Sequence, residues 1–169
     1  MENKKNFLLG MLIIVLALGI TVVGCDNDPE GDTWSKITSL SQLDGTWKGS
    51  YSDTATQDGI TAKTTITVIL TINASAKTTS GSMTATLVFS GTEIAAAWPS
   101  IKSSFAGDPG VTIDDSTYTI TVIETINEVP ISDADIEELL ASGIRISQDG
   151  KKIKMPAEGD MPEIIMTKQ

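Results

Sequence analysis

Enzyme chemistry needs groups that attack, shuttle protons or hold metals, and this chain is short of all three. Its 169 residues contain no histidine and one cysteine, Cys25. Without imidazole there is no Ser-His-Asp or Cys-His nucleophile, no imidazole metal ligand, and no side chain that ordinarily titrates between about pH 5 and 8. A lone thiol cannot close an internal disulfide or build a thiolate zinc site. Acidic side chains number 22 against 12 basic ones, a net charge of -10. No two of them are spaced to set a general acid and a general base on one face. Glycine-rich phosphate loops and nucleophile elbows are absent from the sequence. The residues therefore predict a non-enzymatic protein with no catalytic centre, metal or cofactor. The charge balance, with no basic run to override it, argues against a nucleic-acid partner.

Three candidates remain for binding. Asp26, Asp28, Glu30 and Asp32 occupy alternate positions with Gly31 among them, the opening of a calcium loop. The twelfth position, where such a loop needs a bidentate Glu, is Ile37, so the segment reads as a solvated acidic tether. Glu124 interrupts an apolar strand face formed by Tyr118, Ile120, Val122 and Ile126. It would either orient a polar headgroup inside a barrel or sit at the rim in water. Trp98 and Phe105 share a helical face with Ile94 and Ile101, and would form a lid over a cavity mouth or plug the core.

The leader gives the single cysteine a role. Lys4 and Lys5 precede 17 uncharged residues, 7–23, which end at Gly24-Cys25. A positive start, an apolar run and a small residue at the cut make a secretory signal. Val22-Val23-Gly24-Cys25 resembles a lipobox of the spirochaete-type lipoproteins, with Val22 in place of the usual Leu. That resemblance implies cleavage before Cys25, a diacylglyceryl group carried on its sulfur and a membrane partner reached through the lipid. The address it implies is the cell envelope, facing the extracytoplasmic space, with the outer membrane preferred to the inner. The alternative is an uncleaved membrane helix at the short limit for crossing about 30 Å of hydrocarbon. The chain divides accordingly into a signal peptide (1–24), a lipidated Cys25 with its acidic tether (25–41) and a β domain (42–169). From Cys25 onward the charge is -11, which predicts repulsion from anionic headgroups and anchoring by the acyl chains alone.

Those positions must be held by strands. Thr, Ile and Val make up 44 of the 145 residues after the leader, a strong tilt toward β-branched side chains. Period-2 alternation marks strands at 64–72, 83–89 and 117–122, with shorter ones at 46–52, 111–113, 144–147, 151–155 and 164–168. Residues 73–82 read as a hairpin loop, and Asp149-Gly150 as a type I′ turn. Residues 132–142 predict a helix with Ser132 as N-cap, Asp135 at N3, an Ile131/Ile136 staple and Gly143 beyond the end. Residues 92–106 predict a second helix, interrupted or restarted at Pro99. The fold class is all-β with one or two short helices, as an antiparallel up-and-down β-barrel or a β-sandwich.

Gly45-Thr46-Trp47, followed by Gly49 and Tyr51, resembles the opening Gly-x-Trp strand of lipocalin-like domains, particularly the short ones of bacterial lipoproteins. Residues 146–155 and 164–168 are similar to the closing hairpin and strand of those domains. The resemblance implies an up-and-down barrel whose interior binds a small apolar ligand. It also implies structural roles for Gly45, Trp47 and Arg145, with the arginine stacked on the indole. Strand alternation opposes that contact, because Ile144 and Ile146 should face inward and leave Arg145 outside. Two functions follow: a ligand-binding lipocalin-like lipoprotein, or an envelope module with a filled interior and an unidentified protein partner. An apolar void of about 300 Å³ or more reached past Trp98 would favour the first, and close packing the second.

Overall fold

The computed structural model describes residues 33–156 and 163–169. The lipobox, Cys25 and the acidic run at 26–32 lie outside them.

The alternating stretches form one nine-stranded sheet. In chain order the strands are β1 (Trp34–Lys36), β2 (Gly45–Gln57), β3 (Ile60–Asn73), β4 (Thr78–Gly91), β5 (Val111–Asp114), β6 (Thr119–Pro130), β7 (Arg145–Ser147), β8 (Lys152–Met155) and β9 (Ile164–Lys168). Helix α1 (Ile94–Ser103) follows β4, helix α2 (Asp133–Ala141) follows β6, and a 3-10 turn (Leu40–Leu43) precedes β2. Every pairing is antiparallel.

The spatial order is β1-β7-β8-β9-β2-β3-β4-β6-β5. Among the described residues β1 and β5 do not pair, so hydrogen bonds leave the sheet open where a barrel would close. The nine strands are joined in a single hydrogen-bonded sheet. The physical reason lies in how its apolar face is covered. Opposed residues on antiparallel strands share a face, and register puts Trp47, Leu70, Ile72, Ala85, Leu87, Ile120, Ile146, Ile153 and Met166 on one side. Helices and a 3-10 turn bury that side, where a barrel would use its own far wall. At one end Ile37, Leu40 and Leu43 close over Trp47, Ile72 and Met166, with Ile136, Leu139 and Leu140 of α2 packed against them. At the other end α1 lays Ile94 and Trp98 on Ala85, Leu87 and Ile120. Strands β2, β3 and β4 are long enough to run under both clusters.

The opposite face is hydroxylated. Thr46 bonds Thr71, Ser52 bonds Thr65 and Thr56 bonds Thr61 across the β2-β3 pair, at 2.9 to 3.0 Å. These are cross-strand pairs of the kind that stabilise a water-facing sheet surface.

Several boundaries differ from those the sequence predicts. Among the described residues, β1 and the buried Ile37 already belong to the fold, so residues 33–41 are structure and not tether. The loop after β3 shrinks to residues 74–77, and Ser80, Gly81 and Ser82 belong to β4. Asp149-Gly150 joins β7 to β8 as expected, but only Gly150 has a positive φ, +71°. The bend is therefore not type I′. Asp149 Oδ1 accepts from Ser147 Oγ at 2.7 Å and from the Lys151 N–H at 3.0 Å, and these bonds set it. The type I′ geometry occurs instead at Asp58-Gly59, where both residues have positive φ and Gln57 pairs with Ile60. Helix α1 runs through Pro99 without a break. Pro99 and Ala95 are both exposed, so the ring faces solvent and the Ala95 carbonyl that loses its N–H partner lies on the water side, while Trp98 is held in the core. Helix α2 has its expected cap: the Ser132 hydroxyl accepts from the Asp135 N–H at 3.2 Å, and Asp135 Oδ2 accepts from the Ser132 N–H at 3.0 Å.

Candidate functional site

The singled-out residues fall in three places along the apolar face. Gly45 and Trp47 open β2 at the first. The Trp47 ring is fully buried, and its Nε1 donates to the Leu43 carbonyl at 2.7 Å, which ties the 3-10 turn to the strand. The cation above the ring is Lys168, 5.3 Å from the centroid. Arg145 is not there. It pairs with Lys36 and Lys154 on the hydroxylated side, as the inward-facing Ile144 and Ile146 require. Gly45 has φ +116°, and a Cβ there would press on the Lys168 side chain at 2.8 Å, so glycine leaves room for the lysine to lie across the indole. Beside this corner is an open polar depression of about 500 Å³ bounded by Ser35, Gln42, Ser147, Asp149 and Lys168.

Trp98 and Phe105 define the second place. Trp98 is only 5 % exposed. Its ring meets Tyr118 edge-on at 5.3 Å and Phe89 at 6.0 Å, and its Nε1 donates to Asp115 Oδ1 at 2.6 Å. Phe105 packs half-buried against the same cluster. Lys102 also reaches Asp115, at 2.9 Å. The hydrogen bond from the Lys102 ammonium, then that from the Trp98 indole, holds the Asp115 carboxyl below the usual carboxylate range. Tyr118 is a departure from expectation: it precedes β6 in a left-handed turn, φ +49°, with its carbonyl bonded to the Phe89 N–H at 3.0 Å. That conformation costs about 1 kcal/mol or more, which the ring contact with Trp98 helps to offset.

Glu124 is in the third place, the stretch between the two clusters. It lies on the apolar face opposite Met83, half-buried, with no hydrogen bond or ion pair among the described residues. Asp53, on the same face of β2, is also half-buried and without such a partner. Burial, then the Asp53 charge, raises the pKa of the neighbouring Tyr51 phenol. Opposite Asp53 stands Thr64, 6 % exposed, whose Oγ1 has no hydrogen-bond partner. Glu124 and the Trp98-Phe105 pair are therefore not brought into one site. Sequence reasoning missed Asp53 and Thr64, because each is one polar residue in a polar-rich strand and only register reveals the face it occupies. It also missed Asp58-Gly59, which the Asp-Gly hairpin rule would have found.

Among the described residues no group of three or more acidic or cysteine side chains converges as a metal site, and no helix is long and apolar enough to cross a membrane. No known protein family, no characterised protein and no solved structure matches this chain.

Proposed function

We propose that this chain is a lipid-anchored, non-enzymatic protein of the cell envelope, held to a membrane through Cys25. Its lipocalin-like β domain has a filled interior and works through its surface. The anchor reading rests on the charged start, the apolar run and Val22-Val23-Gly24-Cys25. The lipocalin-like reading is supported by the Gly45-Trp47 strand beneath a cation of the last strand. It is supported too by the return of the last strand, β9, to the first long strand, β2. The order departs from a simple up-and-down arrangement at both edges, where β6 and not β5 pairs with β4, and β1 pairs with β7. The observation that carries the filled interior is Trp98, hydrogen-bonded to Asp115 and packed between Phe89 and Tyr118 as a core plug would be, the alternative to a lid.

A second reading, binding of a small apolar ligand, has one observation in its favour. Thr64 Oγ1 is buried and unpartnered on the apolar face, near the unpaired Asp53, and a ligand with a hydrogen-bond donor would satisfy it.

Mass spectrometry of the protein extracted from its own membrane tests both. A diacylated Cys25 at the N-terminus is expected, and an unmodified Met1 or Cys25 overturns the anchor. A bare native mass supports the filled domain, whereas a retained small-molecule adduct supports the second reading.

A further inference from the structure

Net charge averages over a surface that the strand register divides. Lys36 on β1 is opposite Arg145 on β7, which is opposite Lys154 on β8. One step along the sheet, Lys152 is opposite Thr167, which is opposite Lys48 on β2. The residues alternating with these, Ile146, Ile153, Met166 and Trp47, are core. All five cations therefore stand on the sheet face turned away from the hydrophobic clusters. Lys36, Lys48 and Arg145 are exposed and have no ion pair among the described residues, while Lys154 is paired with Glu163 at 2.9 Å. Like charges directly opposed destabilise a sheet, so the opposed pair Lys36 and Arg145 is a cost to the fold that an anionic partner would relieve.

Acids reach the basic face at Glu163, beside Lys154, and farther along the sheet at Asp114 and Glu128, while others lie on the opposite side. Helix α2 carries Asp133, Asp135, Glu137 and Glu138, and its Ile136, Leu139 and Leu140 pack onto the Trp47 cluster on the apolar face. Asp53 and Glu124 lie on that face as well. The strands β1, β7, β8 and β2 thus gather a local basic patch, although the chain as a whole is strongly acidic.

We propose that this basic patch seats against anionic lipid headgroups. Charge complementarity selects the partner, and the chain's own order puts it within reach. Trp34, the first residue of β1, follows Cys25 by nine residues, a stretch that extends at most about 30 Å. A lipid on Cys25 therefore keeps this corner of the domain near a bilayer. Trp34 lies on the same face, half-buried, with the Lys154 ammonium 5.6 Å from its ring centroid, and an indole beside cations suits the headgroup layer. The inference rests on the lipid-anchor reading for its geometry and reverses the repulsion that net charge alone predicts.

The test uses the full-length protein purified from its membrane and reconstituted in vesicles of phosphatidylglycerol with phosphatidylcholine, or of phosphatidylcholine alone. Lysines are footprinted with an amine-reactive label and read by mass spectrometry. Lys36 and Lys48 are expected to label about threefold or more slowly on the anionic vesicles, an effect erased by high salt. Lys77 and Lys102, which are paired with Asp133 and Asp115 away from this face, should label equally on both. The double variant Lys36→Glu, Arg145→Glu changes only exposed side chains and should abolish the protection of Lys48. Equal labelling on the two vesicles, or equal protection by neutral ones, overturns the proposal. Protection by a soluble anionic polymer but not by vesicles also overturns it. The intact mass of the same sample reports acylation separately. Anionic-specific protection of an unacylated protein would uphold the face and remove the anchor, and no protection of an acylated one would do the reverse.

Discussion

Lys168 and Trp47 are register partners on β9 and β2, and the lysine ammonium stands 5.3 Å above the indole centroid. The contact joins the last strand of the domain to its first long one, over a ring whose N–H is already bound to Leu43. Because Lys168 is exposed, its cation-π contribution should lie at the low end, about 0.5 to 1 kcal/mol. Lys168→Ala is expected to lower stability by that amount and to alter Trp47 emission. Arg145→Ala should do neither. Urea unfolding with fluorescence detection compares them, and an equal effect of both substitutions would contradict the geometry.

Trp98 is a packed core residue with a polar end. Trp98→Ala should cost about 3 to 5 kcal/mol by leaving a cavity among Phe89, Tyr118 and Leu87. Trp98→Phe should cost less, through the lost bond to Asp115. If the alanine variant unfolds within about 0.5 kcal/mol of the parent, Trp98 is a surface lid after all.

Acid should destabilise the domain through specific aspartates. Hydrogen bonds hold Asp114, Asp115, Asp133 and Asp149 below the usual carboxylate range, chiefly from Ser116, Lys102, Lys77 and Ser147, respectively. A folded pKa below the unfolded one adds stability that is complete above the unfolded value and is lost as pH falls through the folded one. The melting temperature should therefore be insensitive to these groups above about pH 5 and fall below about pH 4. Asp115→Asn should flatten part of that acid limb, as thermal melts across pH would record.

Thr64→Val replaces an unpartnered buried hydroxyl with a methyl of similar size. Where the hydroxyl has no bond to lose, the substitution should be neutral or stabilising by up to about 1 kcal/mol. A substantial loss of stability in the protein as purified from its membrane would show that a bound molecule uses Thr64 Oγ1.

Gly81 sits in β4 opposite Leu70, beside the irregularity in the β4-β6 register. A Cβ there would collide with the Ile69 carbonyl. Gly81→Ala should cost about 1 to 3 kcal/mol, measurable by calorimetry. A substitution at Gly150, whose Cβ meets nothing within 4 Å, should cost only the strain of its φ of +71°.

Much of the architecture is local and could be read from the chain. Ser132 and Asp135 carry the start of α2 in adjacent side chains, and the alternation of Ile66, Val68 and Leu70 against Thr65, Thr67 and Thr71 sorts the faces of β3. Strand lengths were harder, because Thr and Ser serve equally in a polar strand and in a loop. Residues 78–82 therefore read as a turn, while cross-strand pairing with β3 makes them strand.

The sequence by itself determined the absence of imidazole chemistry, the acidic balance, the antiparallel β class and the capped helix, because composition, period and capping act within a few residues of one another. Only the tertiary structure decided that helices would cover the apolar face without strand closure, that Lys168 and not Arg145 would lie on Trp47, and that Thr64 would be buried without a partner. It also decided that Lys36, Lys48 and Arg145, far apart in the chain, would share one face of an acidic domain. Those outcomes depend on register between strands up to about 120 residues apart, and a shift of one residue would turn each of those side chains to the other side.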